Sequence, residues 1–251
     1  NKTIGFVPTM GFLHEGHLSL IRRAREENNI VVISVFVNPT QFGPGEDFER
    51  YPRDMERDIE LAYKEGANII FNPAVEEIYP HQNTTWVEVE GDLTSLLCGT
   101  SRLAHFRGVT TVVNMLFNIV IPHKAYFGQK DAQQAAVITK MVKDLHMDIN
   151  IRICPIVREE DGLALSSRNI YLKKEEREQA TILYKALQLT QSNFENGETD
   201  VDTLISIIKN CISSMSLAKI EYAHIYSFPS LNPIAKIDKK AIVALAVKFG
   251  N

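Results

Sequence analysis

The stretch IVVISVFV, Ile30 to Val37, decides the fold class. Apart from Ser34 and Phe36, every residue in it is β-branched, and no polar alternation interrupts it. An unbroken run of this kind marks a strand covered on both faces, as in a parallel sheet. Upstream, TIGFV (Thr3–Val7) reads as a second short buried strand. Between them Leu18, Ile21 and Ala24 carry the spacing of one helix face, with the helix opening near Glu15 or Gly16 and running to Glu27. Downstream the alternation continues with a polar helix over 53–66, the strand NIIF (Asn68–Phe71) and a helix over 109–120. The strand AYFG (Ala125–Gly128), a helix over 132–145 and the strand INIRICPIV (Ile149–Val157) follow. Strands alternating with helices predict an α/β protein with a parallel, doubly wound sheet. The segment TTWVEVE (Thr84–Glu90) alternates instead and predicts a half-exposed edge strand, suited to a subunit contact.

After Val157 the pattern changes. A polar loop, REEDGLALSSRN (Arg158–Asn169), leads to a charged helix from about Lys174 and a second helix near Val201, with NFENGETD as a helix–helix turn. Two strands, KIEYAHIYS and AIVALAVKF, close the chain. The expected organisation is therefore a first domain over residues 1–157 and a smaller α+β domain over 158–251. The chain starts almost at once in a strand without an initiator Met, which reads as a trimmed N-terminus; no secretory leader is present in it.

Hydrophobic residues make up 45% and charged residues 23% of the 251, the range of ordinary globular proteins. A net charge of −4 with no Lys/Arg run argues against a nucleic-acid partner, so any phosphate site must be local to a pocket. No apolar run is long enough to span a membrane. The three cysteines lack disulfide or zinc spacing, which favours a reducing compartment.

Ligands of doubly wound sheets bind at the carboxyl ends of strands, where strand order reverses. Four polar clusters stand at or near such ends. The first is MGFLHEGH (Met10–His17). A zincin pairs its histidines at i and i+4, whereas His14 and His17 are three apart with Gly16 between them. Packing or capping is one reading of these rings. An anion cradle at the helix N-terminus, with Gly16 admitting close approach, is the other. The second cluster, FVNPTQF, sets Asn38 and Gln41 to orient hydroxyl or carboxylate groups, although an Asn-Pro turn explains it equally. The nearby Glu46, Asp47, Asp54 and Asp58 read as solvated surface. The third, YFGQKDAQQ, places Gly128, Gln129, Lys130 and Asp131 at a strand–helix junction. There Lys130 is a point charge for phosphate, Asp131 a helix cap, and Gln134 faces the same mouth one turn on. The fourth, GLALSSRN, offers Leu165, Ser166, Ser167 and Arg168 on a mobile loop able to fold over phosphates, or simply a helix cap. In CGTSRLAHFRGV, Arg102 and His105 precede a helix.

With these residues assembled, the chain resembles the pantothenate synthetase (pantoate–β-alanine ligase) family of the HIGH-motif nucleotidyltransferase superfamily. PTMGFLHEGH, ISVFVNPTQF, YPRD, HFRGVTTVV, YFGQKDAQQ and DGLALSSRNIYL carry the likeness in order along nearly the whole chain. The resemblance implies a Rossmann-like nucleotide- and pantoate-binding domain with a C-terminal lid, acting as a cytosolic homodimer. It also implies a two-step reaction: ATP and (R)-pantoate with Mg²⁺ give pantoyl adenylate and pyrophosphate, and β-alanine then yields pantothenate and AMP. By matching positions, His14 and His17 face the phosphates, His17 standing where the family labels a proton donor. Lys130, Ser166, Ser167 and Arg168 add charge and donors. Met10, Gly16, Gln129, Val157 and Leu165 contact ATP, and Gly128 and Asp131 lie near the ribose. Gln41 and Gln134 hold pantoate, Gln41 also meets β-alanine, Asn38 assists at the reacting centre, and Arg102 lies on the pyrophosphate side. No metal ligand is identified. The other reading of the same signature is a nucleotidyltransferase acting on a phosphorylated acceptor. Three features depart from the family: SRLAHF replaces the usual Arg-Pro-Gly-His-Phe, Cys98 stands where some relatives carry glutamate, and relatives extend beyond both ends.

Overall fold

The computed structural model describes residues 2–81, 83–102 and 104–250; Leu103 of the SRLAHF loop lies outside them. Two compact units divide at Val157. In the first the order is β1 (Ile4–Thr9), α1 (Glu15–Glu27), β2 (Ile30–Val35), α2 (Met55–Lys64) and β3 (Ile69–Phe71). Three short helical turns follow, α3 (Val75–Ile78), α4 (Asp92–Ser95) and α5 (Cys98–Ser101), then α6 (His105–Val120), β4 (Lys124–Gly128), α7 (Ala132–Asp144) and β5 (Asn150–Cys154).

The strands form one five-stranded sheet in the order β3-β2-β1-β4-β5, with every neighbouring pair parallel. Along β2 every residue from Val31 to Val35 is buried, because successive side chains enter different cores. Val31 and Ile33 meet Leu18, Ile21 and Ala24 of α1 and Ala62 of α2. Val32 belongs to a second cluster with Val109, Val112 and Leu116 of α6 and Ile138 and Met141 of α7. Each such aliphatic side chain, fully buried, contributes about 1.5–3 kcal/mol. The fold is therefore Rossmann-like, with helices on both faces of a parallel sheet. The chain moves outward from β1 to β3 and returns to β4 on the other side of β1. Strand order thus reverses between β1 and β4, the place where doubly wound sheets bind ligands at the carboxyl ends of their strands.

Two expectations are corrected. TTWVEVE is not a strand among the described residues. Its backbone instead bonds to α6: Val87 N–H donates to Thr111 Oγ1 at 3.0 Å, and the Val87 carbonyl accepts from the Thr110 and Thr111 hydroxyls. Buried threonines satisfy it, so no ladder is needed, and Val87 and Val89 pack on the core. The last strand ends at Cys154 rather than Val157, where Pro155 has no N–H to donate to a ladder.

In the second unit, α8 (Lys174–Ala180) and α9 (Ile182–Glu195) are separate helices broken at Thr181, where one charged helix was expected. They are followed by α10 (Val201–Ser213) and the antiparallel pair β6 (Ala218–Ser227) and β7 (Ala241–Phe249). Leu204, Ile208 and Ile212 of α10 pack with Ala186 of α9 on Ala223 and Ile225 of β6.

Candidate active site

The site begins where β1 ends. Thr9 Oγ1 donates to the Ser34 carbonyl at 2.7 Å and accepts from Gly11 N–H at 3.1 Å, which turns the chain sharply. Gly11 (φ 81°) and Phe12 (φ 50°) both take positive φ, and Leu13 is wholly buried. His14 then becomes the N-cap of α1. Its Nδ1 accepts from Gly16 N–H at 3.1 Å, while His17 Nδ1 accepts in return from His14 N–H at 3.3 Å. The two rings lie 4.1 Å apart, centroid to centroid.

This reciprocal cap fixes the chemistry of both imidazoles. A nitrogen that accepts from a backbone N–H carries no proton, so each neutral ring keeps its hydrogen on Nε2. Burial holds both rings neutral. It lowers His14 to about 4, with Lys130 adding to the effect, and lowers His17 to about 3, with His14 and Lys130 adding. The capping reading holds for the Nδ1 atoms, and the Nε2–H groups make no hydrogen bond among the described residues, which leaves the anion-cradle reading open.

A pH dependence follows. Both histidines titrate lower in the folded protein than their ordinary 6.5, so the unfolded chain binds more protons over the intervening range. Their contribution to stability is complete above pH 6.5 and is lost as pH falls toward 4 and then 3. Chemical denaturation at pH 7, 6, 5 and 4 is expected to show this decline, and His14→Asn is expected to flatten it. A slope unchanged by that substitution would contradict the assignment.

The carboxyl end of β2 supplies Asn38 and Gln41, at the start and end of a 3₁₀ turn over Pro39–Gln41. Asn38 is buried with every valence used. Its Nδ2 donates to Gln41 Oε1 (3.1 Å) and the Gly108 carbonyl (3.2 Å), and its Oδ1 accepts from the Thr40 and Tyr79 hydroxyls. With its oxygen held by Asn38, the Gln41 amide turns its NH₂ toward Met10 Sδ, 3.2 Å away. The Gln41 carbonyl accepts from His105 Nδ1 (2.9 Å) and Arg102 Nη2 (3.3 Å). Since His105 Nδ1 donates, its Nε2 is free to accept from Arg102 Nη1 at 3.2 Å. Burial, then Arg102, lowers His105 to about 4. The Arg102 guanidinium also grips Glu46 through Nε (2.8 Å) and Nη2 (2.5 Å), and so holds that carboxyl below its usual range.

This corner closes on a glycine. Gly108 lies in α6 directly against the Pro39–Gln41 turn, where a Cβ would stand 2.4 Å from the Thr40 carbonyl oxygen and 2.8 Å from Gln41 Cα. Both are backbone atoms, so something must shift. Gly108→Ala is expected to cost about 1–3 kcal/mol, or about 5 °C in melting temperature, and, if Gln41 binds the ligand, to weaken that binding. A variant with unchanged melting and unchanged binding would show that the contact does not set Gln41.

The carboxyl end of β4 supplies Gly128, Gln129, Lys130 and Asp131, the last three in an exposed 3₁₀ turn. A Cβ on Gly128 would meet nothing within 4 Å, so the chain there is open to a ligand's close approach. Lys130 and Asp131 both act electrostatically on His14 and His17, which brings the β1 and β4 turns together as strand order requires. Asp131 makes no side-chain cap to α7, contrary to expectation; its carboxylate lies 3.4 Å from Lys130 Nζ. Gln133 is buried and ties α7 to the Leu93 and Leu96 carbonyls, while Gln134 is half-buried with no hydrogen bond among the described residues.

The acidic residues expected at the surface divide. Asp54 is exposed and caps α2 through Arg57 N–H. Glu46 is the Arg102 partner. Asp58 is 1% exposed and accepts from Phe12 N–H and Leu13 N–H, each at 2.7 Å. Spacing gave no sign of this, because its partners are backbone groups 45 residues away.

In the second unit, Leu165 to Arg168 follow a short antiparallel bridge between Arg158 and Ala164 and lead into a 3₁₀ turn over Ser167–Tyr171. Glu159 N–H donates to the Leu163 carbonyl at 2.8 Å, and Arg177 bonds to both Glu159 and Asp161. Ser166 caps the 3₁₀ turn by accepting from Arg168 N–H at 3.3 Å, Ser167 is buried, and Arg168 is exposed. Val157 is half-buried at the end of the first unit.

The sequence profile described as pantoate-beta-alanine ligase matches residues 1–251. The chain belongs to the pantoate-β-alanine ligase family. A pantothenate synthetase of Thermotoga petrophila is 58% identical over 250 residues, covering 100% of this chain and 89% of the relative. The crystal structure of pantothenate synthetase from Thermus thermophilus superimposes with a TM-score of 0.96 at 47% identity, covering 98% of this chain and 89% of that one. The pantoate-beta-alanine ligase of Francisella tularensis, complexed with beta-gamma ATP and beta-alanine, matches with a TM-score of 0.77 at 34% identity, over 98% and 90% of the two chains. The protein is a ligase of pantothenate biosynthesis, and this membership favours the ligase over transfer to a phosphorylated acceptor.

Proposed function

We propose that the chain joins (R)-pantoate to β-alanine through pantoyl adenylate, with ATP bound along the β1 and β4 turns. The observation that carries this is the pair of neutral imidazoles, each with Nε2–H free, set beside Lys130 where strand order reverses. Pantoate's carboxylate is already ionised at neutral pH, so the first step needs no base. It needs the acid held in line with the α-phosphorus and charge stabilised on the departing pyrophosphate. His14, His17 and Lys130 are positioned donors for that charge. A carboxylate oxygen bonds to the α-phosphorus as the bond to pyrophosphate breaks; the β-alanine amine then bonds to the acyl carbon as AMP departs.

Gln41 offers its NH₂ beside Met10, and Gln134 is free to bond; both are assigned to pantoate, and Gln41 also to β-alanine. Asn38, with its valences used, acts by holding Gln41. Arg102, neutralised by Glu46, acts through the Gln41 carbonyl more than as a charge for pyrophosphate. Met10, Gly16, Gly128, Gln129, Asp131 and Val157 are assigned to the nucleotide. Following the family resemblance, so are Leu165, Ser166, Ser167 and Arg168 of the second unit, which is proposed as a lid. Mg²⁺ belongs with ATP as substrate. Among the described residues no three His, Cys, Asp or Glu side chains form a metal site, and Mg²⁺ on phosphates needs only one or two carboxylates.

A cytoplasmic homodimer is part of this reading, supported by the family resemblance. No helix among the described residues is long and apolar enough to cross a membrane. The test is AMP formation: it is expected only when ATP, pantoate and β-alanine are all supplied with Mg²⁺. AMP formed equally well without pantoate would overturn the proposal.

A further inference from the structure

Asp58 touches none of the groups assigned to substrate, yet it controls the bend that presents them. It lies in the first turn of α2, buried, with Oδ2 on Phe12 N–H and Oδ1 on Leu13 N–H at 2.7 Å each. Those amides belong to the link between β1 and the His14 cap. Phe12 takes a positive φ there, at a cost of roughly 1–2 kcal/mol for a residue with a Cβ. Such a conformation persists only when its surroundings over-determine it.

Packing alone does not do so. A cavity of about 280 Å³ lies along this side of the bend, lined by Met10, Gly11, Phe12, Val35, Asp58 and Asn72 among others. Beside this open space the bend is held by directed bonds, in addition to the burial of Leu13 and the Arg57 guanidinium 5.4 Å from the Phe12 ring centre. A carboxylate accepting from two consecutive amides supplies them, at roughly twice the strength of neutral hydrogen bonds. Gly11 lets the carboxylate come this close, since a Cβ there would stand 2.9 Å from Asp58 Oδ2 and 2.7 Å from Val35 Cγ1.

We infer that Asp58 is a positioning residue for adenylate formation: it clamps the Phe12–Leu13 amides so that His14 and His17 present their Nε2–H groups to the phosphates of the nucleotide. The inference rests on the function proposed above. It separates the two half-reactions, because the clamp serves phosphate chemistry and has no part in the attack of β-alanine on a formed adenylate.

The experiment compares wild type with Asp58→Asn, which keeps the volume and removes one acceptor. Pantoate-dependent exchange of pyrophosphate into ATP is followed alongside conversion of supplied pantoyl adenylate and β-alanine to pantothenate. Exchange is expected to fall about ten- to hundredfold in kcat, the penalty for slightly misplaced reacting groups. KM for pantoate is expected to stay within about twofold, and the second half-reaction to stay near wild type, since neither depends on the phosphate donors. Raising Mg²⁺ is expected to restore nothing. Wild-type exchange per folded molecule, an equal loss in both half-reactions, or rescue by Mg²⁺ would each overturn the inference. The last would make Asp58 a metal ligand. Should Asp58→Asn not fold, Asp58→Glu, which shifts the charge by one methylene, is read by the same ratio of half-reactions. If wild type itself shows no pantoate-dependent exchange, the proposed function fails first, and independently of any variant.

Discussion

Replacing His17 with alanine is expected to lower the rate of adenylate formation by about 10²–10³-fold, the usual loss for one preorganised donor to developing charge. The donor is the Nε2–H, and the geometry leaves no other tautomer, because Nδ1 is occupied by His14 N–H at 3.3 Å. In the proposed mechanism this ring, lowered to about 3 by burial, serves the departing pyrophosphate as a neutral hydrogen-bond donor, with no imidazolium needed beforehand. The same substitution removes the acceptor for His14 N–H, so a stability loss of about 0.5–2 kcal/mol is expected as well, as for other lost N-caps. The two effects are separable. Rates are compared per folded molecule, and the melting temperature reports the cap. Near-normal exchange of pyrophosphate into ATP in His17→Ala would remove the ring from the chemistry and leave it only a capping role.

Lys130→Ala is the second large effect. Lys130 is exposed, its Nζ lies 3.4 Å from Asp131 Oδ1, and its charge is felt by both histidines. An exposed ion pair of this kind adds little to stability, so the variant is expected to melt within about 0.5 kcal/mol of wild type. Its rate of adenylate formation is expected to fall about 10²-fold, since a fixed cation beside a departing pyrophosphate acts only as charge develops. KM for pantoate should change little, because the groups proposed to hold the acid are the neutral amides of Gln41 and Gln134. A variant that loses pantoate affinity while keeping its maximal rate would place Lys130 with the acid substrate instead.

The sheet was legible because burial on both faces leaves a direct trace: Val31 to Val35 are all apolar or small, and all are buried. Part of the turn chemistry was legible as well, since His14, Asn38 and Lys130 stand in the turns that follow β1, β2 and β4. Contacts between a side chain and distant backbone left no such trace. Asp58 reads as one more acid on a polar helix until Phe12 and Leu13 are seen to donate to it. Gly108 reads as a weak point in a helix until the Thr40 carbonyl is found against it. TTWVEVE misleads in the opposite direction: its alternation is real, but Thr110 and Thr111 take the bonds a neighbouring strand would have made. Asp131 stands at a cap position and does not cap, because its carboxylate turns to Lys130. For Asp58, Gly108 and TTWVEVE the deciding partner is remote in sequence or is a backbone group without residue identity; for Asp131 it is the neighbouring Lys130.

The central claim is that ATP is cleaved by pantoate's carboxylate before β-alanine takes part. Exchange of labelled pyrophosphate into ATP, measured with pantoate and Mg²⁺ and no β-alanine, tests it most directly. Rapid exchange that requires pantoate is expected. Release of ADP and phosphate, or exchange that appears only when β-alanine is added, would contradict it.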